Sequence, residues 1–143
     1  MTTKAAQRSI ELFDSGYCCA ESILLAVAED KGIESDLIPK IATGFCSGMA
    51  RTSNQCGAVS GGILAINLFT GRSSPEESHE ENYAFVKEFL SAFEKNFGSI
   101  NCQELTSCDL STTEGQAFYQ ENHINKKCQT LIGGSTRLVL DMI

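Results

Sequence analysis

Apolar residues recur at steps of three and four along almost the whole chain, and strict alternation is nowhere sustained. That pattern writes amphipathic helices and leaves no strand to pair. Only two prolines, Pro39 and Pro75, interrupt 143 residues, so long helices meet little opposition. The length suits one domain with a core of its own. The expected fold is an all-α, single-domain bundle of about six to eight helices spanning residues 1–143.

Residues 3–15 align Ala6, Ile10 and Phe13, with Gly16 as the stop. Residues 18–31 align Ala20, Ile23, Leu24, Val27 and Ala28. A third helix is expected to open on Asp36 as N-cap, with Pro39 in its first turn. Residues 44–55, GFCSGMARTSNQ, lack periodicity and read as a loop. Residues 56–69, CGAVSGGILAINLF, carry small residues on adjacent ridges. Each interior glycine there costs about 1 kcal/mol against alanine, so the backbone must approach another helix or a bound group closely. Ser74-Pro75-Glu76-Glu77 reads as a capping box opening a fifth helix. Its stripe of Tyr83, Val86, Leu90, Phe93 and Phe97 reads as core, and Gly98 ends it. A short helix over 100–106 follows. Ser111-Thr112-Thr113-Glu114 forms a second box opening a segment to residue 122. A last helix covers 125–143, with a kink expected at Gly133-Gly134.

The formal charge is −7 with no basic stripe, which excludes nucleic acid as a natural partner. The longest apolar runs, residues 23–28 and 63–66, fall far short of the ~20 residues of a membrane helix. The first residues lack the apolar stretch of a secretory signal. The expectation is a cytoplasmic protein without membrane contact.

Cysteine is the anomaly. Seven occur, at 18, 19, 46, 56, 102, 108 and 128. An odd count cannot pair fully within one chain, and a reducing cytosol would not keep pairs oxidised. Metal binding or thiol chemistry is therefore expected, rather than structural disulfides. Cys19, Cys56, Cys102 and Cys128 each fall at an expected helix start. Unpaired N–H groups and the positive end of the dipole favour a thiolate there and are expected to lower its pKa. Cys18, Cys46 and Cys108 read as small buried residues or spare ligands. His79 reads as solvated and His123 as a minor ligand candidate near Cys128. No CxxC, CxxCH, ferredoxin run, Walker loop, dinucleotide fingerprint or GxSxG is present.

The stretch CGAVSG at 56–61, with one cysteine block before it and two after, resembles the C_GCAxxG_C_C family of redox-active proteins. GYCCAESILLA at 16–26 is similar to the family's first block, matching at Cys19. ATGFCSGMARTSNQCGAVSGGILAI at 42–66 is similar to the central block, GSINCQEL at 98–105 to the third at Cys102, and Cys128 to the fourth. The chain reads FCSGM where the family usually has FGGGM, so Cys46 is an addition, as are Cys18 and Cys108. The family resembles the body of split-Soret cytochromes, which implies a helical homodimer. The haem attachment motif is absent, so the resemblance carries over only the cysteine site.

Three chemistries follow for Cys19, Cys56, Cys102 and Cys128 as redox-active thiols or metal ligands. The first is an iron–sulfur cluster serving electron transfer with a donor or acceptor protein, or redox sensing. The second is metal-free thiol–disulfide oxidoreduction, and the third a tetrahedral zinc site. Gly57 and Gly61 are the candidate residues for close approach to a cofactor.

Overall fold

The computed structural model describes residues 2–143. In chain order these form α1 (Thr2–Asp14), α2 (Cys19–Asp30), a 3-10 helix (Lys40–Phe45), α3 (Cys46–Arg51), α4 (Gly57–Thr70), α5 (Glu80–Phe97), α6 (Cys102–Thr106), α7 (Thr113–Glu121) and α8 (Asn125–Met142). The fold is all-α and single-domain. The extended pairing among the described residues is one isolated antiparallel bridge between Gln55 and Asn101. No helix among them is long and apolar enough to cross a membrane.

The apolar stripes meet where periodicity aims them. Ile23, Leu24 and Val27 of α2, Val59 and Ile66 of α4, Phe89 and Phe93 of α5, and Leu131, Ile132 and Val139 of α8 form one core. Each such side chain contributes about 1.5–3 kcal/mol on burial. Of the expected α5 stripe Phe93 is fully buried, with Phe89 beside it, and Val86, Leu90 and Phe97 pack partly buried against the core, whereas Tyr83 is half exposed at the outer end. Helices α1 and α8 are joined inside by a Thr136–Ser9 hydroxyl bond of 3.0 Å. Ser135 donates to the Ala58 carbonyl at 2.7 Å, which ties the first turn of α4 to α8.

Four boundaries depart from the sequence expectation. Asp36 does not cap an α-helix. Residues 36–39 form turns ahead of the 3-10 segment, because Pro39 offers no N–H and Gly44 lies at the segment's far end. The fifth helix starts at Glu80, not at the Ser74 box. Arg72 donates to the carbonyls of Pro75 and Glu77 and holds those residues as a separate turn. The second box caps one residue later than expected, with Thr112 accepting from Gly115 N–H at 2.9 Å. No break occurs at Gly133-Gly134; α8 is continuous, and both glycines make room for neighbours, Gly133 for Ile10 and Gly134 for the Phe97 ring.

The stretch read as a loop contains the least expected backbone. Ser47, Gly48, Met49, Ala50 and Arg51 have φ of 57°, 68°, 67°, 55° and 65°. Residues 47–51 thus make a left-handed helical turn, although only one of them is glycine. The left-handed region costs an L-residue roughly 1–2 kcal/mol, so the surroundings must hold this turn in place. Thr52 helps by donating from Oγ1 to the Gly48 and Met49 carbonyls, and Asn54 N–H donates to Gly48 O at 3.0 Å.

Candidate functional site

Each of the four aligned cysteines sits at or near a helix start. Cys19 is the first residue of α2, Cys56 is the N-cap of α4, Cys102 is the first residue of α6, and Cys128 is the fourth residue of α8. Their helices converge. Cys19, Cys56, Cys102 and Cys128 line one cavity of about 260 Å³, together with Ser47, Gly57 and Tyr119. A single water takes about 30 Å³ of liquid, so the space suits a group of several heavy atoms better than one ion.

Local bonds fix the thiols relative to one another. Cys56 N–H donates to the Ile100 carbonyl and Cys102 N–H to the Asn54 carbonyl, both at 2.8 Å. These bonds flank the Gln55–Asn101 bridge and lock the starts of α4 and α6 side by side. Asn101 reinforces the joint, accepting from Glu104 N–H at 3.0 Å and donating to Ser53 O at 3.1 Å. At Gly57 the absence of a side chain is essential, since a Cβ there would overlap the Cys19 sulfur. Gly61 faces the backbone of Ala20 and does not line the cavity; its role is the close contact of α2 with α4.

The electrostatics differ from the expectation of acidified thiols. Burial pushes Cys19 and Cys56 up, and raises Cys102 to about 11 and Cys128 to about 12. Backbone N–H groups of Ser47 and Ala20 at Cys19, and of Ala58 at Cys56, pull the other way. The helix starts are present, but desolvation of the sulfurs outweighs them here. The Tyr119 hydroxyl donates to Cys128 Sγ at 3.3 Å and also favours the charged sulfur. Arg51 is the one charged residue among those lining the cavity.

A stability consequence follows for the metal-free protein. Its folded state retains thiol protons that the unfolded chain has released, so this contribution is present below pH 9.0, the ordinary thiol value, and is lost as pH rises through about 11 and about 12. Tyr119, also raised by burial, adds in the same direction. The denaturant midpoint is expected to fall between pH about 8 and about 10.5. A midpoint that holds or rises over that interval contradicts the burial argument.

The remaining cysteines separate. Cys18 and Cys46 are joined as a disulfide, against the expectation that no pair would form; folding brings their Cα atoms to 5.8 Å across 28 residues of sequence. Cys108 is free and buried against Thr106, outside the cavity lining. His123 is exposed and does not line the cavity. Sequence reasoning missed Tyr119, the Ser47 N–H and Arg51. A lone tyrosine nine residues before a cysteine carries no signal, and nothing in FCSGMAR announces a left-handed turn.

Among the described residues, the group of His, Cys, Asp or Glu donors that all lie within 4.8 Å of one another is Cys18, Glu21 and Cys46. The four cavity thiols are therefore spread more widely than a mononuclear site would gather them. Tetrahedral zinc with ~2.3 Å bonds would draw its sulfurs to about 3.8 Å from each other.

A family model described as "Putative redox-active protein (C_GCAxxG_C_C)" matches residues 17–142. A protein of Archaeoglobus fulgidus described as "Uncharacterized protein" is 28% identical, over 98% of this chain and 93% of its own length. No solved structure gives a significant match.

Proposed function

The chain belongs to the C_GCAxxG_C_C family of redox-active proteins, and from that premise we propose that Cys19, Cys56, Cys102 and Cys128 ligate an iron–sulfur cluster serving electron transfer or redox sensing. The observation that carries this reading is one cavity of about 260 Å³ lined by Cys19, Cys56, Cys102 and Cys128, all free thiols, which are not drawn together at zinc spacing. The donor set fits: four thiolates satisfy a small iron–sulfur centre. The space left by Gly57 is where the Cys19 sulfur turns inward.

When bound, such a cluster takes up and returns an electron. The chain's own residues supply the rest. The Tyr119 hydroxyl bonds the Cys128 sulfur, and the backbone N–H groups of Ser47 and Ala20 at Cys19 and of Ala58 at Cys56 favour the charged sulfur. The surrounding core limits water, which sets the potential along with those bonds. Burial otherwise keeps Cys19, Cys56, Cys102 and Cys128 protonated, so the four would have to give up their thiol protons to hold the group, and loading would release protons. The natural counterpart is an electron donor or acceptor protein in a reducing, cytoplasmic setting.

Protein prepared without oxygen is expected to be brown and to contain iron and acid-labile sulfide. Changing Cys19, Cys56, Cys102 or Cys128 to serine should lower retained iron by more than the ~10-fold that losing an outer partner costs. Cys108→Ser, outside the lining, should keep it. A colourless anaerobic preparation without iron, or one holding stoichiometric zinc, would overturn the reading.

A further inference from the structure

Cys18 and Cys46 lie outside the proposed donor set, and their Cα separation of 5.8 Å is ordinary for a disulfide. Glu21 completes the three-donor group, yet both its oxygens are engaged. Oε1 accepts from Cys18 N–H at 3.0 Å, and Oε2 accepts from the Thr43 hydroxyl at 2.6 Å. The two sulfurs of this trio are already bonded to each other and Glu21 is held by both bonds, so it suits sulfur–sulfur chemistry better than a metal.

The two sulfurs are unequally reachable. Cys18 is half-buried and lines the cavity, whereas Cys46 is buried. An incoming thiol therefore meets Cys18, and Cys46 departs. The pair is also joined to the cavity thiols. Cys18 is the chain neighbour of Cys19. Cys46, itself extended, immediately precedes the left-handed turn, whose Ser47 N–H favours the charged Cys19 sulfur and whose Ser47 and Gly48 line the same cavity. The next residue, Gly48, packs so close to Cys102 that a Cβ would lie 2.7 Å from the Cys102 Cβ. Four non-glycine residues of that turn sit in the left-handed region, which persists only where surrounding constraints hold it. The disulfide is a covalent constraint on the residue that leads into the turn.

We propose that Cys18–Cys46 is a second redox site, which exchanges with low-molecular-weight thiols and latches the left-handed turn against the cavity. A thiolate RS⁻ attacks Cys18 Sγ; the bond to Cys46 breaks, and Cys46 leaves as thiolate and takes a proton. A second RSH displaces the first from Cys18, releasing RSSR and leaving two protein thiols. The two RSH are oxidised by two electrons, and the protein pair is reduced by two. With the pair reduced, the turn loosens its hold on Cys19. The importance of that loosening for a cofactor rests on the reading above; the exchange and the loosening themselves do not.

The test uses metal-free, full-length protein equilibrated without oxygen in glutathione buffers of varied ratio, then acid-quenched, alkylated and mapped by mass spectrometry. Cys18 and Cys46 should gain label together as a two-electron couple while circular dichroism is unchanged. Resistance of the pair to excess dithiothreitol in folded protein, or labelling independent of the ratio, would overturn the exchange. In the same samples the alkylation rate of Cys19 should rise at least about fivefold when the pair is reduced, as local opening exposes it. Cys46→Ser and Cys18→Ser should both mimic the reduced state, so one failing to fold leaves the other to report. Equal Cys19 rates in oxidised and reduced protein would overturn the latch. Iron content does not enter either readout, so an iron-free protein would sink the cluster reading and leave this one to its own result.

Discussion

Gly57→Ala is expected to disable the cavity's donor set while leaving most of the helical fold standing. The new Cβ would overlap the Cys19 sulfur and would sit 3.1 Å from the Phe45 carbonyl oxygen and 3.3 Å from the Cys46 Cα. Phe45 and Cys46 present backbone there, so the sulfur is the group that must move. Rotating it away takes it from the Ser47 and Ala20 N–H groups that favour its charged form and turns it out of the cavity. Alanine otherwise favours helix over glycine by up to about 1 kcal/mol, so little global destabilisation is expected. The effect should appear in the metal: about tenfold or greater loss of iron retained after anaerobic gel filtration, with helical content preserved. Undiminished iron in the variant would show that the Cys19 sulfur is not a ligand in this pose.

Gly61→Ala, one turn further along the same helix, should act on the fold instead. Its Cβ would lie 2.8 Å from the Ala20 Cα and 2.9 Å from the Ala20 carbonyl oxygen. Both atoms are backbone, so α2 and α4 must separate by several tenths of an ångström, opening gaps around Ile23, Val59 and Leu24. Overpacking of this kind costs about 1–3 kcal/mol, which exceeds the ~1 kcal/mol that alanine gains from helix propensity. Thermal unfolding of the metal-free variant should therefore come several degrees earlier than that of the parent. A stabilised variant would mean that propensity alone governs this position and that the helices are not in close contact. The pair of substitutions separates the two uses of one glycine-rich motif: room for a sulfur at Gly57, and room for a helix backbone at Gly61.

The expectation of lowered thiol pKa values failed for an instructive reason. A helix start is a local feature and could be placed from Cys19, Cys56 and Cys102 alone. Desolvation depends on what packs over the sulfur, and here α8, α4 and the left-handed turn close around it. The misplaced start of α5 has a similar origin. Ser74-Pro75-Glu76-Glu77 has good cap chemistry, but Arg72 takes the Pro75 and Glu77 carbonyls for a turn.

Periodicity and glycine stops were enough, from the amino-acid sequence, to establish an all-α domain and to put four cysteines at or near helix starts, because those signals act within one or two turns of backbone. Only the tertiary structure decided that the four thiols share a cavity, that Cys18 meets Cys46, and that Tyr119 and the Ser47 N–H face sulfur. Those outcomes join residues far apart along the chain, some from α2 to α8. They depend on how helices pack rather than on any single helix, and local spacing does not encode that.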